Sequence, residues 1–275
     1  MSLVSTNWLE KNLSKVRIID ASWHMPNSRR NAYEEYLKTH IENTVFFDLD
    51  KNSDEKSSLP HMLPNAEKWG KIVSDFGIKN SDHIVIYDNS DTISSCRCWY
   101  SFIYFGHDFK KVSVLNGGLK KWLEEKKPVT DKMMRFDKTE YAVIENKSLV
   151  KKKEQIKKNI ISNQFELVDA RSEQRFKGLV PEPRKGLKSG NIENSKNIPF
   201  NECLNKNDHT FKNKEELLKI FEKQNINNKK NVVFTCGSGV TACVLGLANS
   251  IISGKTPIVY DGSWSEWGQI KNEKK

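Results

Sequence analysis

Cys236-Gly237-Ser238-Gly239-Val240-Thr241-Ala242 stands between a short apolar, β-branched run, Val232-Val233-Phe234-Thr235, and an apolar segment of helical character, Ala242-Cys243-Val244-Leu245-Gly246-Leu247-Ala248. Runs of the first kind form buried strands and segments of the second kind buried helices, so the cysteine sits at a strand-to-helix turn. Two glycines let the backbone curl until several peptide N–H groups point at one spot, and the N-terminus of the following helix adds its positive dipole end. Such a spot stabilises an anion. A thiol placed there is expected to exist largely as the nucleophilic thiolate, with no lysine, histidine or metal beside it in sequence.

Three other readings compete for these residues. A buried structural cysteine would explain the thiol, but not its coincidence with a strand end, a double-glycine turn and a helix start. A dinucleotide fingerprint fits Gly237-x-Gly239-x-x-Ala242, with Asp261 after a further strand. That sheet would need several more strands, and only Pro257-Ile258-Val259-Tyr260 follows. A cysteine phosphatase needs an arginine six residues after the nucleophile to clamp phosphate, and position 242 is Ala.

Outward from the loop, the chain reads in the same order twice. In the first half, residues 16–21 form a predicted strand and 32–38 a helix, and 44–47 enter the interior. The stretch 65–76 places Ala66, Trp69, Ile72, Val73 and Phe76 on one helical face before a strand at 84–87. An aromatic helix at 95–105, a strand at 112–115 and a helix opened by Asn116-Gly117-Gly118-Leu119 follow. The second half repeats this with a strand at 165–170, an amphipathic helix at 214–221, the strand before the cysteine and a last turn at 259–262. Alternating strands and helices imply an α/β fold with a parallel sheet covered on both faces, and duplication on this scale implies two similar domains. The polar, aperiodic stretch 129–147 is the expected linker, dividing 1–128 from 148–275.

The repeat aligns Asp88-Asn89-Ser90-Asp91-Thr92-Ile93 with Cys236 to Thr241. An aspartate inside a ring of amides would fill the anion site itself, and it cannot carry sulfur. The first domain is therefore expected to be catalytically silent and to form one wall of a cleft. Cys96 and Cys98, beside Trp99 and Tyr100 on an apolar helix, read as buried packing residues.

Composition bounds the function. Hydrophobic residues make up 37% and aromatics 10%, which suits a globular chain with material for two cores. The net charge of +10 comes from 45 Lys+Arg against 35 Asp+Glu, but it is scattered through runs such as Lys151-Lys152-Lys153, Lys157-Lys158 and Lys229-Lys230 without aromatic partners. A solvated surface with a mild pull on anionic substrates is expected, and neither a nucleic-acid nor a membrane partner. The five cysteines have neither zinc spacing nor a Cys-x-x-Cys pair, and no basic-then-apolar leader or long apolar run is present. A reducing cytoplasmic setting, without metal or organic cofactor, is the expectation.

The cysteine loop, together with several further motifs, resembles that of the 3-mercaptopyruvate sulfurtransferases, the two-domain relatives of rhodanese. The likeness runs through Phe46-Phe47-Asp48-Leu49-Asp50 and His61-Met62-Leu63-Pro64 in the first half. In the second it runs through Asp169-Ala170-Arg171-Ser172, Arg175-Phe176-x-Gly178, Pro181-Glu182-Pro183-Arg184-x-Gly186 and Asn197-Ile198-Pro199-Phe200. The resemblance implies two tandem rhodanese-like domains, the second catalytic. It implies that Cys236 takes the sulfur of 3-mercaptopyruvate as a persulfide, releases pyruvate, and passes the sulfur to cyanide or to a thiol such as thioredoxin or a small thiol.

The resemblance further implies that Arg175 and Arg184 hold the carboxylate of this 2-oxo acid, and that Gly237, Gly239, Val240 and Thr241 line the donor site. Asp50, His61 and Ser238 are implied to form a proton relay. A thiosulfate sulfurtransferase of the same fold is the nearest alternative. A dianionic sulfonate donor favours basic loop side chains, whereas Gly237 and Ser238 are neutral. A non-catalytic rhodanese-like interaction module and a nucleotide-dependent oxidoreductase are the alternatives of other classes. The sequence departs from the family at His40-Ile41-Glu42-Asn43-Thr44 and Asn191-Ile192-Glu193-Asn194-Ser195, both lacking a Pro-Gly. Asn tolerates left-handed φ, so both turns are expected to form.

Overall fold

A computed structural model of the chain describes residues 2–226 and 230–270. Met1, Lys229 of one lysine run and residues 271–275 lie outside the described residues. The chain folds as two units, one of Met1–Lys56, Leu63–Lys147 and Leu204–Phe211, the other of Ser57–Met62, Ser148–Cys203 and Lys212–Lys275.

The first unit is built on strands β1 (Leu3–Val4), β2 (Arg17–Asp20), β3 (Thr44–Phe46), β4 (Ile84–Tyr87) and β5 (Val112–Leu115), all parallel, in the order β1-β5-β4-β2-β3. Its helices are α1 (Thr6–Glu10), α2 (Ala32–Lys38), α3 (Ala66–Asp75), α4 (Ser95–Tyr104) and α5 (Gly118–Glu124). Every residue of β4 is buried, as expected for a parallel strand covered on both faces. Helix α3 starts where Asn65 accepts the Lys68 amide, and its apolar stripe buries Trp69 against Phe105 at 4.8 Å and edge-on to Phe102 at 4.9 Å.

The second unit repeats this plan with β6 (Val150–Lys151), β7 (Phe165–Asp169), β8 (Lys196–Asn197), β9 (Asn231–Thr235) and β10 (Ile258–Tyr260), parallel in the order β6-β10-β9-β7-β8. Helices α6 (Lys153–Ser162), α7 (Glu173–Phe176), α8 (Lys214–Lys223), α9 (Ala242–Ser253) and α10 (Ser263–Trp267) complete it. Asn213 and Glu216 close a capping box on α8, whose inner face buries Leu217 and Phe221.

Several elements were not legible: helix α6, the short helices α1, α7 and α10, and the two-residue strands β1, β6 and β8. Helix α6 carries lysines that read as a solvated run, and they are its outer face: only Ile156 and Asn159 are fully buried, too few for a clear helical period. The edge strands β1 and β6 have two residues each and no period at all. Residues 129–147 contain no named element before the short turn at 147, yet they are hydrogen-bonded along the first unit. Thr130 and His40 exchange amide bonds at 2.8 and 2.9 Å, Asn80 pairs with Ala142, and Ile144 donates to Phe105. The two turns without Pro-Gly form through left-handed asparagines, Asn43 at φ 62° and Asn194 at φ 61°.

Candidate active site

In a parallel sheet all strand C-termini leave by one edge, where functional loops gather. In the second unit β9 lies between β7 and β10, with Asp169 opposite Thr235 and Val259 opposite Phe234. The segment after β7 carries Arg171 to Arg184, the turn after β9 begins with Cys236, and the turn after β10 carries Ser263 and Ser265. Sheet order thus brings three distant stretches to one place.

Cys236 is 2% exposed and sits at the end of β9, and α9 begins at Ala242. The turn is held from below by the segment after β10. Cys236 N–H donates to Ser263 Oγ at 3.2 Å, Trp264 N–H donates to the Cys236 carbonyl at 2.9 Å, and Ser265 donates to the Gly237 carbonyl from both its amide (2.8 Å) and its hydroxyl (2.7 Å). Gly239 stands at φ 77°, where a side chain would be strained, so the curl that the two glycines suggested does depend on this one. Val240 and Ser238 are buried, and Thr241 caps α9 without a side-chain hydrogen bond, leaving the helix N-terminus directed at the loop. Ser263 and Ser265 were missed in the sequence, where Gly262-Ser263-Trp264-Ser265 carries no signal beyond a polar turn.

Both sequence-designated arginines reach the loop. A Cβ built on Gly237 would lie 3.2 Å from Arg175 Nη2 and 4.0 Å from Arg184 Nη1. Arg175 differs from the expected open fork, because Glu182 already engages it: Nη2 donates to Oε2 at 2.6 Å and Nε to Oε1 at 3.2 Å. Glu182 Oε1 also accepts from Arg171 Nη1 at 2.9 Å, and Arg171 donates to Asp169 through Nε and Nη2 while its guanidinium packs 4.1 Å above the Trp264 ring. Burial works against the Arg171 charge, and the Asp169 and Glu182 carboxylates outweigh it, leaving its pKa above the ordinary value. Arg171 and Glu182 form a buried frame that fixes Arg175. The one sequence hint was a lone acid in the basic Pro-Glu-Pro-Arg segment.

His61 belongs to the same unit and is 5% exposed; its Nδ1 lies 2.9 Å from Ser238 Oγ. Its backbone adopts φ 60°, in the left-handed region that few residues other than glycine enter. Asp50 belongs to the first unit, where its carboxylate accepts the Trp23 indole N–H at 3.0 Å.

The first unit carries the counterpart loop after β4. Asp88 is buried, accepting the Ser90 amide at 3.2 Å and the Ser95 amide, the first residue of α4, at 2.6 Å. Burial raises this carboxyl above the usual range, with the Ser95 and Ser90 hydrogen bonds opposing. The carboxylate fills the place where amides converge, as the repeat alignment implied. All five cysteines are free and buried, and burial pushes the Cys203 thiol up to about 12 and that of Cys98 well above its ordinary value. Those thiols stay protonated and inert.

Among the described residues no helix is long and apolar enough to cross a membrane. The rhodanese-like domain family matches residues 5–125 and 152–270. The chain is 39% identical to a 3-mercaptopyruvate sulfurtransferase of Mus musculus and 40% identical to a thiosulfate sulfurtransferase of Rattus norvegicus, covering 97% of this chain and 91% of each relative. Among solved structures it is similar to SseA of Escherichia coli, described as a 3-mercaptopyruvate sulfotransferase. That likeness has a TM-score of 0.86 and 32% identity, over 97% of this chain and 100% of the other.

Proposed function

Because the chain belongs to the rhodanese family of sulfurtransferases, we propose that its sulfur donor is 3-mercaptopyruvate and that Cys236 carries the sulfur as a persulfide. The observation that carries this reading is the pair of guanidinium groups beside Gly237, one residue from the thiol. A fork at that distance suits a carboxylate attached two carbons from the transferable sulfur. Relatives acting on either donor are equally similar to the chain, so the choice between donors rests on the loop. Neutral Gly237 and Ser238 disfavour the compact dianionic head of thiosulfate, which remains the second reading because the two guanidiniums attract any anion.

The Cys236 thiolate attacks the donor sulfur, the carbon–sulfur bond breaks, and its electron pair leaves on pyruvate as the enolate. The helix N-terminus and loop amides stabilise the anionic charge at the sulfur, and the enolate then takes a proton to give pyruvate. His61 and Ser238, within hydrogen-bond reach of each other, are the route for that proton. A thiol acceptor, thioredoxin or a small thiol, then takes the outer sulfur and regenerates Cys236. The cytoplasm suits a chain whose cysteines are all free.

Incubation with 3-mercaptopyruvate should add one sulfur atom to the intact mass, removable by dithiothreitol or cyanide, with stoichiometric pyruvate. Cys236→Ser should gain none. A mutant that still carries sulfur and releases pyruvate would place the nucleophile elsewhere.

A further inference from the structure

In the second unit a groove of about 340 Å³ runs between residues 58–60 and residues 184–187, with Gln269 and Ile270 at its rim. Ser265 lines it, and the Ser265 amide and hydroxyl both hold the Gly237 carbonyl, so the groove adjoins the loop one residue from Cys236. Arg184 is common to groove and loop. One wall is stiff, because Leu187 and Gln269 form an antiparallel bridge flanked by Lys188 N–H to Gly268 O at 2.8 Å and Ile270 N–H to Gly186 O at 3.0 Å.

The chemistry of the walls is uneven. Leu59 and Pro60 make one side apolar, while Lys185 is exposed on the other and makes no ion pair among the described residues. A volume of this size falls within the small-molecule range of about 300–1,000 Å³. The donor's single carboxylate is already assigned to the guanidiniums beside Gly237. Lys185, the lysine among the residues lining the groove, is left for a second substrate, which arrives after pyruvate has gone.

We propose that this groove seats the sulfur acceptor, a small thiol bearing carboxylates, with Lys185 holding one carboxylate while the thiol reaches the Cys236 persulfide. The inference rests on the reading of Cys236 as the sulfur carrier. The acceptor thiolate attacks the outer sulfur and a new sulfur–sulfur bond forms to it. The bond between that sulfur and Cys236 Sγ breaks, and its electron pair returns to Cys236 as the thiolate. The acceptor leaves as its persulfide, and no external oxidant or reductant enters.

The full-length wild type and Lys185→Glu are loaded with 3-mercaptopyruvate, the pyruvate released is measured, and the desalted proteins are discharged with glutathione or with neutral 2-mercaptoethanol. Both proteins should give the same pyruvate burst. At subsaturating thiol, Lys185→Glu should slow glutathione discharge about tenfold and leave 2-mercaptoethanol discharge within about twofold. Raising ionic strength from about 0.05 M to about 0.5 M should slow discharge of the wild type by glutathione alone. Equal loss with both thiols, no loss with glutathione, or a loss confined to a protein thiol such as thioredoxin would overturn the proposal. A wild type that forms no pyruvate and no persulfide would instead overturn the assignment of Cys236, on which the groove depends.

Discussion

Replacing Glu182 by Gln keeps the shape of the side chain and removes the charge that joins Arg171 to Arg175. The carboxylate accepts three hydrogen bonds, from Arg171 Nη1 (2.9 Å), Arg175 Nε (3.2 Å) and Arg175 Nη2 (2.6 Å). An amide has one oxygen. If that oxygen stays at Oε1, the NH₂ faces Arg175 Nη2, donor against donor; if the amide flips, the other two bonds are lost. The side chains of Glu182 and Arg171 are 2% and 0% exposed, so solvent cannot replace the lost acceptor at that end. Arg175 is 24% exposed and recovers part of its hydration. One lost charged hydrogen bond costs about 1.5–3 kcal/mol, and a broken buried pair about 3–5 kcal/mol. With Asp169 still neutralising Arg171, an intermediate loss of about 2–4 kcal/mol is expected in urea unfolding at pH 7. Glu173→Gln, which removes an exposed ion pair with Lys177, should leave the curve nearly unchanged. Released from Glu182, Arg175 should drift beside Gly237, raising KM for 3-mercaptopyruvate and lowering kcat, for about a tenfold loss in kcat/KM. A Glu182→Gln protein with wild-type stability and kinetics would refute the idea that this carboxylate fixes the arginines.

Burial lifts the Asp20 carboxyl to about 7 from 3.8, with Ser22 hydrogen bonds opposing and the charge of Asp88 adding to the rise. Between pH 4 and 7 the unfolded chain gives up this proton while the folded chain keeps it, so stability should fall as pH rises through that window and level off above it. Asp20→Asn should flatten much of this slope and gain about 2–4 kcal/mol at pH 8, leaving the contribution of Asp88; equal slopes in urea titrations of mutant and wild type would count against it. The double substitution Gly237→Arg, Ser238→Lys should shift the thiosulfate-to-mercaptopyruvate ratio of kcat/KM toward thiosulfate by at least about tenfold, once circular dichroism shows an intact fold. Arg175 Nη2 would have to yield slightly, since it lies 3.2 Å from the new Cβ, and an unchanged ratio in a folded protein would show that loop charge does not select the donor.

Local chemistry made much of this protein legible in its sequence. Apolar β-branched runs and helical apolar stripes act over a few residues, so the two alternating series of strands and helices could be read directly. The placing of Cys236 at the end of β9, and of Asp88 at the end of β4 in the parallel copy, followed from the same periods. What escaped was either short, like the two-residue edge strands, or had a solvated face that masked its period, like α6.

The surroundings of Cys236 were decided only by tertiary structure. Arg175, Glu182, His61, Ser263 and Ser265 lie far from the cysteine along the chain, and nothing in their own neighbourhoods says which group each will meet. His61 arrives from the separate segment 57–62, and the meeting of the others depends on the strand order β6-β10-β9-β7-β8, which sets the loops after β7 and β10 on either side of the loop after β9. Motif resemblance drew attention to the arginines and the histidine. It did not reveal that Glu182 holds Arg175 and Arg171 together, because pairing of charges across a fold is fixed by burial, and burial is a property of the assembled sheet.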